Sequence, residues 1–162
     1  MKSRRKRRRS MSHKVPPNPG TAALTIGGWL SVLAALLHVG CIIGGPDWYR
    51  FFGAGEAMAL ADQRGEWFPA IITGFIAALL GIWALFAFSG AGKFARLPLL
   101  RTGLVAISAI YMVRALAFFP AHLIRPDLTD SFAVWSSLIV LAYGLAYTIG
   151  TWRAWPALSG RA

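Results

Sequence analysis

Four long apolar runs dominate this chain of 162 residues. They cover residues 24–43, 68–88, 97–119 and 132–151. A helix needs about 20 mostly apolar residues to cross bilayer hydrocarbon roughly 30 Å thick, and each run meets that length. The runs are continuous and about twice as long as a barrel strand, so α-helix is favoured over β-strand. The sequence therefore predicts an all-α, integral membrane four-helix bundle.

The basic residues predict how this bundle is oriented. The net charge is +11, from 17 basic and 6 acidic residues. Cytoplasmic flanks of membrane helices retain Lys and Arg, and with the N-terminus inside most of the basic residues fall on the cytoplasmic side. All 6 acidic residues then fall outside. We expect an N-in/C-in protein of the bacterial inner membrane, with Trp48, Trp67 and Trp135 at the outer boundary and Trp152 and Trp155 at the inner one.

The chain divides into a tail, a transmembrane domain and a second tail. Residues 1–20 are rich in Lys, Arg and Pro and are predicted to be a disordered cytoplasmic tail, followed by a domain over 21–152 and a cytoplasmic tail over 153–162. The basic tail either holds the N-terminus inside or binds anionic lipid. Nucleic acid is the less favoured partner. A start at Met11 would remove most of this basic run.

A few polar residues in the apolar runs are candidates for function. His38 and Arg114 each lie five residues before the outer end of a run, about 7 to 8 Å below the boundary at 1.5 Å per residue. Tyr111 lies one helical turn before Arg114. Our hypothesis is a ligand-binding pocket that opens outward, lined by these three residues and closed by Glu56. The alternative is that Arg114 reaches the headgroups and His38 bonds between helices.

The first external loop, residues 44–67, combines glycines with a run of aromatic residues. This composition predicts a short interfacial or re-entrant helix with a glycine hinge. The loop acts either as a structural lid or anchor, or directly in binding. Candidates for the mouth or lid are Trp48, Arg50, Glu66 and, from the second external loop, His122.

Other features favour packing over chemistry. Tyr143 and Tyr147 share a helix face and either secure packing or line a substrate path. Small-residue faces such as Gly40-x3-Gly44 let helices approach closely, within the bundle or in a homo-oligomer. Cys41 is a small apolar filler or a thiol ligand. The histidines are in separate segments and no cofactor, metal or nucleophile motif is present, so we assign no catalytic residue, metal or cofactor.

Several segments together resemble a known type of protein. They are residues 38–56, the turns 89–92 and 96–99, and Tyr111-x2-Arg114. The chain resembles small four-span bacterial inner-membrane proteins of uncharacterised function, over about residues 22–151. It is similar to the DoxX-like proteins in architecture only. The resemblance implies a fold and no activity.

The sequence favours a binding or accessory protein over other classes. We expect a periplasm-facing polar pocket for a small amphipathic or anionic molecule. The alternative is a small proton-coupled transporter in which His38 and Glu56 exchange protons. An intramembrane enzyme ranks third, because no recognised nucleophile arrangement is present.

Overall fold

Most of the described residues are helical. The computed structural model describes residues 14–124 and 131–159, apart from the side chains of residues 119, 121 and 131. The helices are α1 (Thr21–Gly44), α2 (Pro46–Phe51), α3 (Glu56–Gln63), α4 (Phe68–Gly90), α5 (Leu100–Leu116), α6 (Phe118–Ile124) and α7 (Ser131–Ser159). The all-α prediction is confirmed for this part of the chain.

Three helices are long and apolar enough to cross a membrane. They are Thr21–Gly44, Phe68–Gly90 and Phe132–Ser159. This supports the predicted class of helical membrane protein. The fourth predicted run corresponds to α5, which has 17 residues and is about 25 Å long at 1.5 Å per residue. It is shorter than the run because Leu99, with φ of 53°, precedes it and the helix stops before Ala117.

Helices α1, α4, α5 and α7 pack along one another. Helix α1 lies between α4 and α7, and α5 packs mainly on α7. Neighbouring helices are antiparallel: Gly90 at the end of α4 lies beside Leu24 near the start of α1, and Gly150 of α7 also contacts Leu24. We call the end of the bundle where α1 and α5 begin the proximal end, and the opposite end the distal end.

At the proximal end, chain segments outside the helices pack on the bundle and form hydrogen bonds with it. Val15 is buried, and Asn18 Nδ2 donates to the Gly90 carbonyl at 3.4 Å. A guanidinium N–H of Arg96 donates to the carbonyl of Leu158 in α7. Residues 14–20, which the sequence places in a disordered tail, are therefore packed on the bundle. The basic run before them lies outside the described residues.

The distal end carries a cap formed by two short helices, α2 and α3, where one was predicted. Trp48 of α2 lies against the glycines Gly40 and Gly44 of α1. The turn between α2 and α3 contains Gly53, with φ of 68°, where a Cβ would lie 2.1 Å from the ring of Phe132. Glycine is required there both for the backbone and for the contact with α7.

Candidate functional site

A chain of hydrogen bonds crosses the bundle interior. Tyr147 donates its hydroxyl to the Trp83 carbonyl at 3.0 Å, and Ser31 Oγ lies 2.8 Å from Tyr147 Oη. Tyr111 Oη lies 3.3 Å from Ser31 Oγ. Because Tyr147 has only one proton and gives it to the carbonyl, Ser31 donates to Tyr147 and accepts from Tyr111. These hydrogen bonds join α5, α1, α7 and α4, and they place Tyr111 in the interior.

Aromatic packing surrounds these hydroxyls. The ring of Tyr111 packs edge-on to Trp83 at a centroid distance of 4.9 Å and lies 5.4 Å from the rings of Tyr143 and Tyr147. Tyr143 donates its own hydroxyl to the Leu30 carbonyl at 2.9 Å. Each phenol thus has a partner within the protein, an arrangement typical of helix packing.

His38 lies on the bundle-facing side of α1. It follows Ser31 by seven residues, which returns to the same helix face about 10 Å further toward the distal end. Its Nδ1 lies 2.7 Å from the Ala34 carbonyl and therefore carries a proton. In the neutral ring Nε2 is then an acceptor. The described residues make no hydrogen bond to that nitrogen.

Arg114 occupies the last turn of α5, beside the buried stripe that includes Tyr111 and Ala115. Its side chain is exposed on the outside of the helix. Within residues 14–124 and 131–159, no carboxylate forms an ion pair with it.

Glu56 belongs to the distal cap. Its carboxylate accepts two hydrogen bonds from Arg50, both at 2.9 Å, and Arg50 also pairs with Asp47 at 3.1 Å. The hydrogen bonds from Arg50, aided by its charge, hold the pKa of Glu56 below the usual range. The ion pair joins α2 to α3, and both carboxylate oxygens of Glu56 are bonded to Arg50.

The other predicted mouth residues are dispersed over the distal end. Glu66 pairs with Arg64 at 2.6 Å, and Trp48 covers the end of α1. The ring of His122 stacks on Phe118 in α6 at 5.6 Å. Among the described contacts none joins Glu56 to Arg114. The structure thus brings Trp48, Arg50 and Glu56 into one cap and places Tyr111 in a separate, interior cluster.

A groove that the sequence does not predict lies between α5 and α7. It has a volume of about 460 Å³ and is lined by Val105, Ser108, Thr148, Thr151, Trp152 and Trp155. The hydroxyl of Thr151 is buried and has no hydrogen-bond partner among the described residues. The spacing of Thr148, Thr151 and Trp155 puts them near one face of a helix, but nothing in the sequence shows that this face meets α5.

Within the two described ranges, no three His, Cys, Asp or Glu side chains form a group that could hold a metal ion. Cys41 of α1 is buried against two residues of the cap, Tyr49 of α2 and Ala59 of α3.

Comparison of the chain with protein-family models, curated proteins and solved structures gave no match.

Proposed function

We propose that this chain is a multi-pass protein of the bacterial inner membrane that binds a small anionic or amphipathic ligand at its distal end, directly or as an accessory subunit. The observation that carries the proposal is that Arg114 forms no ion pair with a carboxylate of the described residues. The other two described distal arginines, Arg50 and Arg64, are paired with carboxylates, whereas Arg114 has no such partner in the described chain. A guanidinium at membrane depth favours an anionic partner, and a ligand carboxylate or phosphate would satisfy it.

His38 is a second candidate group for the proposed ligand, although it lies on α1 and no described contact joins it to Arg114. With Nδ1 held by Ala34, its Nε2 can accept a hydrogen bond from a ligand, or donate one to an anion when the ring is protonated. Tyr111 lies one turn before Arg114, but its hydroxyl is already bonded to Ser31 in the interior cluster, so the proposal gives it no direct contact with the ligand. Glu56 and Arg50 form the lid as an ion pair.

The proposal includes four spans with both termini inside. The charge distribution supports it: the four acidic residues of the described chain, Asp47, Glu56, Asp62 and Glu66, are distal, and Lys14, Lys93, Arg96, Arg101 and Arg153 are proximal. Asp127 and Asp130 lie outside the described residues. The antiparallel packing of α5 on α7 supports α5 as the remaining span.

Native mass spectrometry of the gently purified protein tests ligand binding. We expect an additional mass from a co-purified small molecule, lost in Arg114→Ala and retained in Arg64→Ala. Arg64 is a matched control because it is also a distal arginine but is paired with Glu66. Equal retention of the molecule by both variants contradicts a site at Arg114.

A proton-coupled transporter is the second candidate. It is favoured by His38, because no described residue forms a hydrogen bond with its Nε2. Proteoliposomes given the molecule identified by mass would then show a substrate-dependent pH change, lost in His38→Gln. Binding of that molecule with no pH change rules out the transporter and leaves the binding protein.

A further inference from the structure

We propose that the groove between α5 and α7 is a second site, which binds an anionic phospholipid with its phosphate beside Arg101 and one acyl chain between the helices. This site is proximal, whereas the proposed ligand site is distal. The lipid site depends on the proposed membrane location of the chain, but it does not depend on Arg114.

The shape of the groove suits a lipid chain. Its volume of about 460 Å³ falls within the range of roughly 300 to 1,000 Å³ typical of ligand pockets. Val105 and Trp152 contribute apolar walls, and both are exposed at the side of the bundle, where bilayer lipid would reach them. The groove follows the helix axes from Trp155 toward Ser108, the direction in which an acyl chain enters the hydrocarbon.

Thr151 provides an unused hydrogen-bond donor in this groove. The residue is only 5% exposed, and its hydroxyl oxygen has no partner in the described chain. Burying a hydroxyl without a hydrogen-bond partner costs folding free energy. The hydroxyl of Ser108, by contrast, has a partner, since it donates to the Leu104 carbonyl at 2.8 Å. Threonine in a helix has two accessible χ1 rotamers, so the hydroxyl can turn toward a ligand. A phospholipid ester carbonyl would accept its proton.

Arg101 provides the charge at the mouth of the groove. Its guanidinium carbon lies 4.0 Å from the centre of the Trp155 ring. This stacking uses the face of the guanidinium and leaves its N–H edges available for an anion. No acidic side chain is present at the proximal end within the described ranges. A lipid phosphate would therefore supply the missing negative charge, about one helical turn from Thr151.

Lipid titration of the delipidated full chain tests this site. Phosphatidylglycerol and phosphatidylcholine with identical acyl chains are added separately, and bound lipid is counted by native mass spectrometry. We expect tighter binding of phosphatidylglycerol. Arg101→Gln should weaken that binding by about fivefold, with little effect on phosphatidylcholine. Thr151→Val should weaken both lipids, because both carry ester carbonyls.

Two variants separate the groove from general surface charge. Arg153→Gln removes a positive charge from the same end of the bundle without altering the groove lining, and Arg101→Lys retains the charge. We expect both to bind phosphatidylglycerol more tightly than Arg101→Gln does. Equal loss in Arg101→Gln and Arg153→Gln overturns the site, as does equal affinity for the two lipids.

A second copy of the chain is the competing occupant of the groove. If Thr151→Val changed the oligomeric mass and left lipid binding unaltered, the lipid assignment would be wrong. Arg114→Ala should leave phosphatidylglycerol binding unchanged, so the two proposed sites can fail separately. Thermal unfolding of each variant in detergent distinguishes loss of the lipid site from loss of the fold.

Discussion

Buried tyrosine hydroxyls in this bundle differ in whether they have a partner. Tyr147 Oη is bonded to both the Trp83 carbonyl and Ser31 Oγ, whereas Tyr49 Oη, in α2 of the cap, is buried without a partner in the described chain. The two rings are almost equally buried, with 0% and 1% exposure. Substitution by phenylalanine therefore isolates the contribution of each hydroxyl.

Tyr147→Phe should lower the free energy of unfolding by about 1 kcal/mol, because Ser31 and the Trp83 carbonyl lose a partner. Tyr49→Phe should be neutral or stabilising, since it removes an unsatisfied polar atom. Equilibrium unfolding in mixed detergent measures both. A loss in Tyr49→Phe as large as that in Tyr147→Phe would disprove this assignment of the two hydroxyls.

The spacing of Tyr143 and Tyr147 predicted correctly that they share one face of a helix. The sequence did not identify their partners, Leu30 and Ser31 of α1. Helical periodicity specifies which side chains lie together on one helix, whereas the partner depends on which helix packs there. Arg50 illustrates the same limit, because its pairing with Glu56 depends on the turn at Gly53.

Among the elements, α2 and α3 are coupled by the ion pair of Arg50 with Glu56. The lowered pKa of Glu56 means that the pair persists at neutral pH and is lost as the pH falls through that lowered value. Arg50→Gln should raise the Glu56 titration midpoint toward that of a free glutamate, because the hydrogen bonds and the charge that lower the pKa are removed. Carbon-13 NMR of the labelled carboxyl measures it. Arg64→Gln is the control, and an unchanged midpoint in Arg50→Gln contradicts the pairing.

The contact between α2 and α1 depends on a glycine. A Cβ at Gly44 would lie 2.3 Å from the ring of Trp48, whereas one at Gly81 in α4 would meet nothing within 4 Å. Gly44→Ala should displace the cap and increase tryptic cleavage after Arg50. Gly81→Ala should stabilise the protein by roughly 0.5 to 1 kcal/mol through helix propensity. Equal protection of Arg50 in the two variants would show that Trp48 does not hold the cap.

The helix ends show which parts of an element the apolar runs could predict. The first two runs, 24–43 and 68–88, lie within α1 (Thr21–Gly44) and α4 (Phe68–Gly90). Helix α7 continues to Ser159, well beyond the run that ends at residue 151. Ala154 and Leu158 are fully buried in that extension, in the same core cluster as Val15. Tertiary packing, which hydropathy does not describe, extends this helix.

At the scale of the whole molecule, both proposed sites depend on which side of the membrane each end faces. The distal site needs the cap outside, and the lipid groove needs the proximal end at the inner surface. The number of spans depends on helix α5. If α5 crosses the membrane, the chain has four spans and α7 ends inside. If α5 does not cross, the chain has three spans and α7 ends outside. Residues after α5 and at the end of α7 therefore report the span count directly.

Labelling of single cysteines with a membrane-impermeant maleimide tests this arrangement most directly. The variants are made in a Cys41→Ala background, and spheroplasts of the expressing bacterial cells are labelled. Gln63, Lys93, Leu123 and Ser159 are exposed positions that can each be replaced by cysteine. We predict labelling at 63 and 123 in intact spheroplasts, and at 93 and 159 only after lysis. Labelling of 159 in intact spheroplasts, with 123 protected until lysis, would contradict the four-span account.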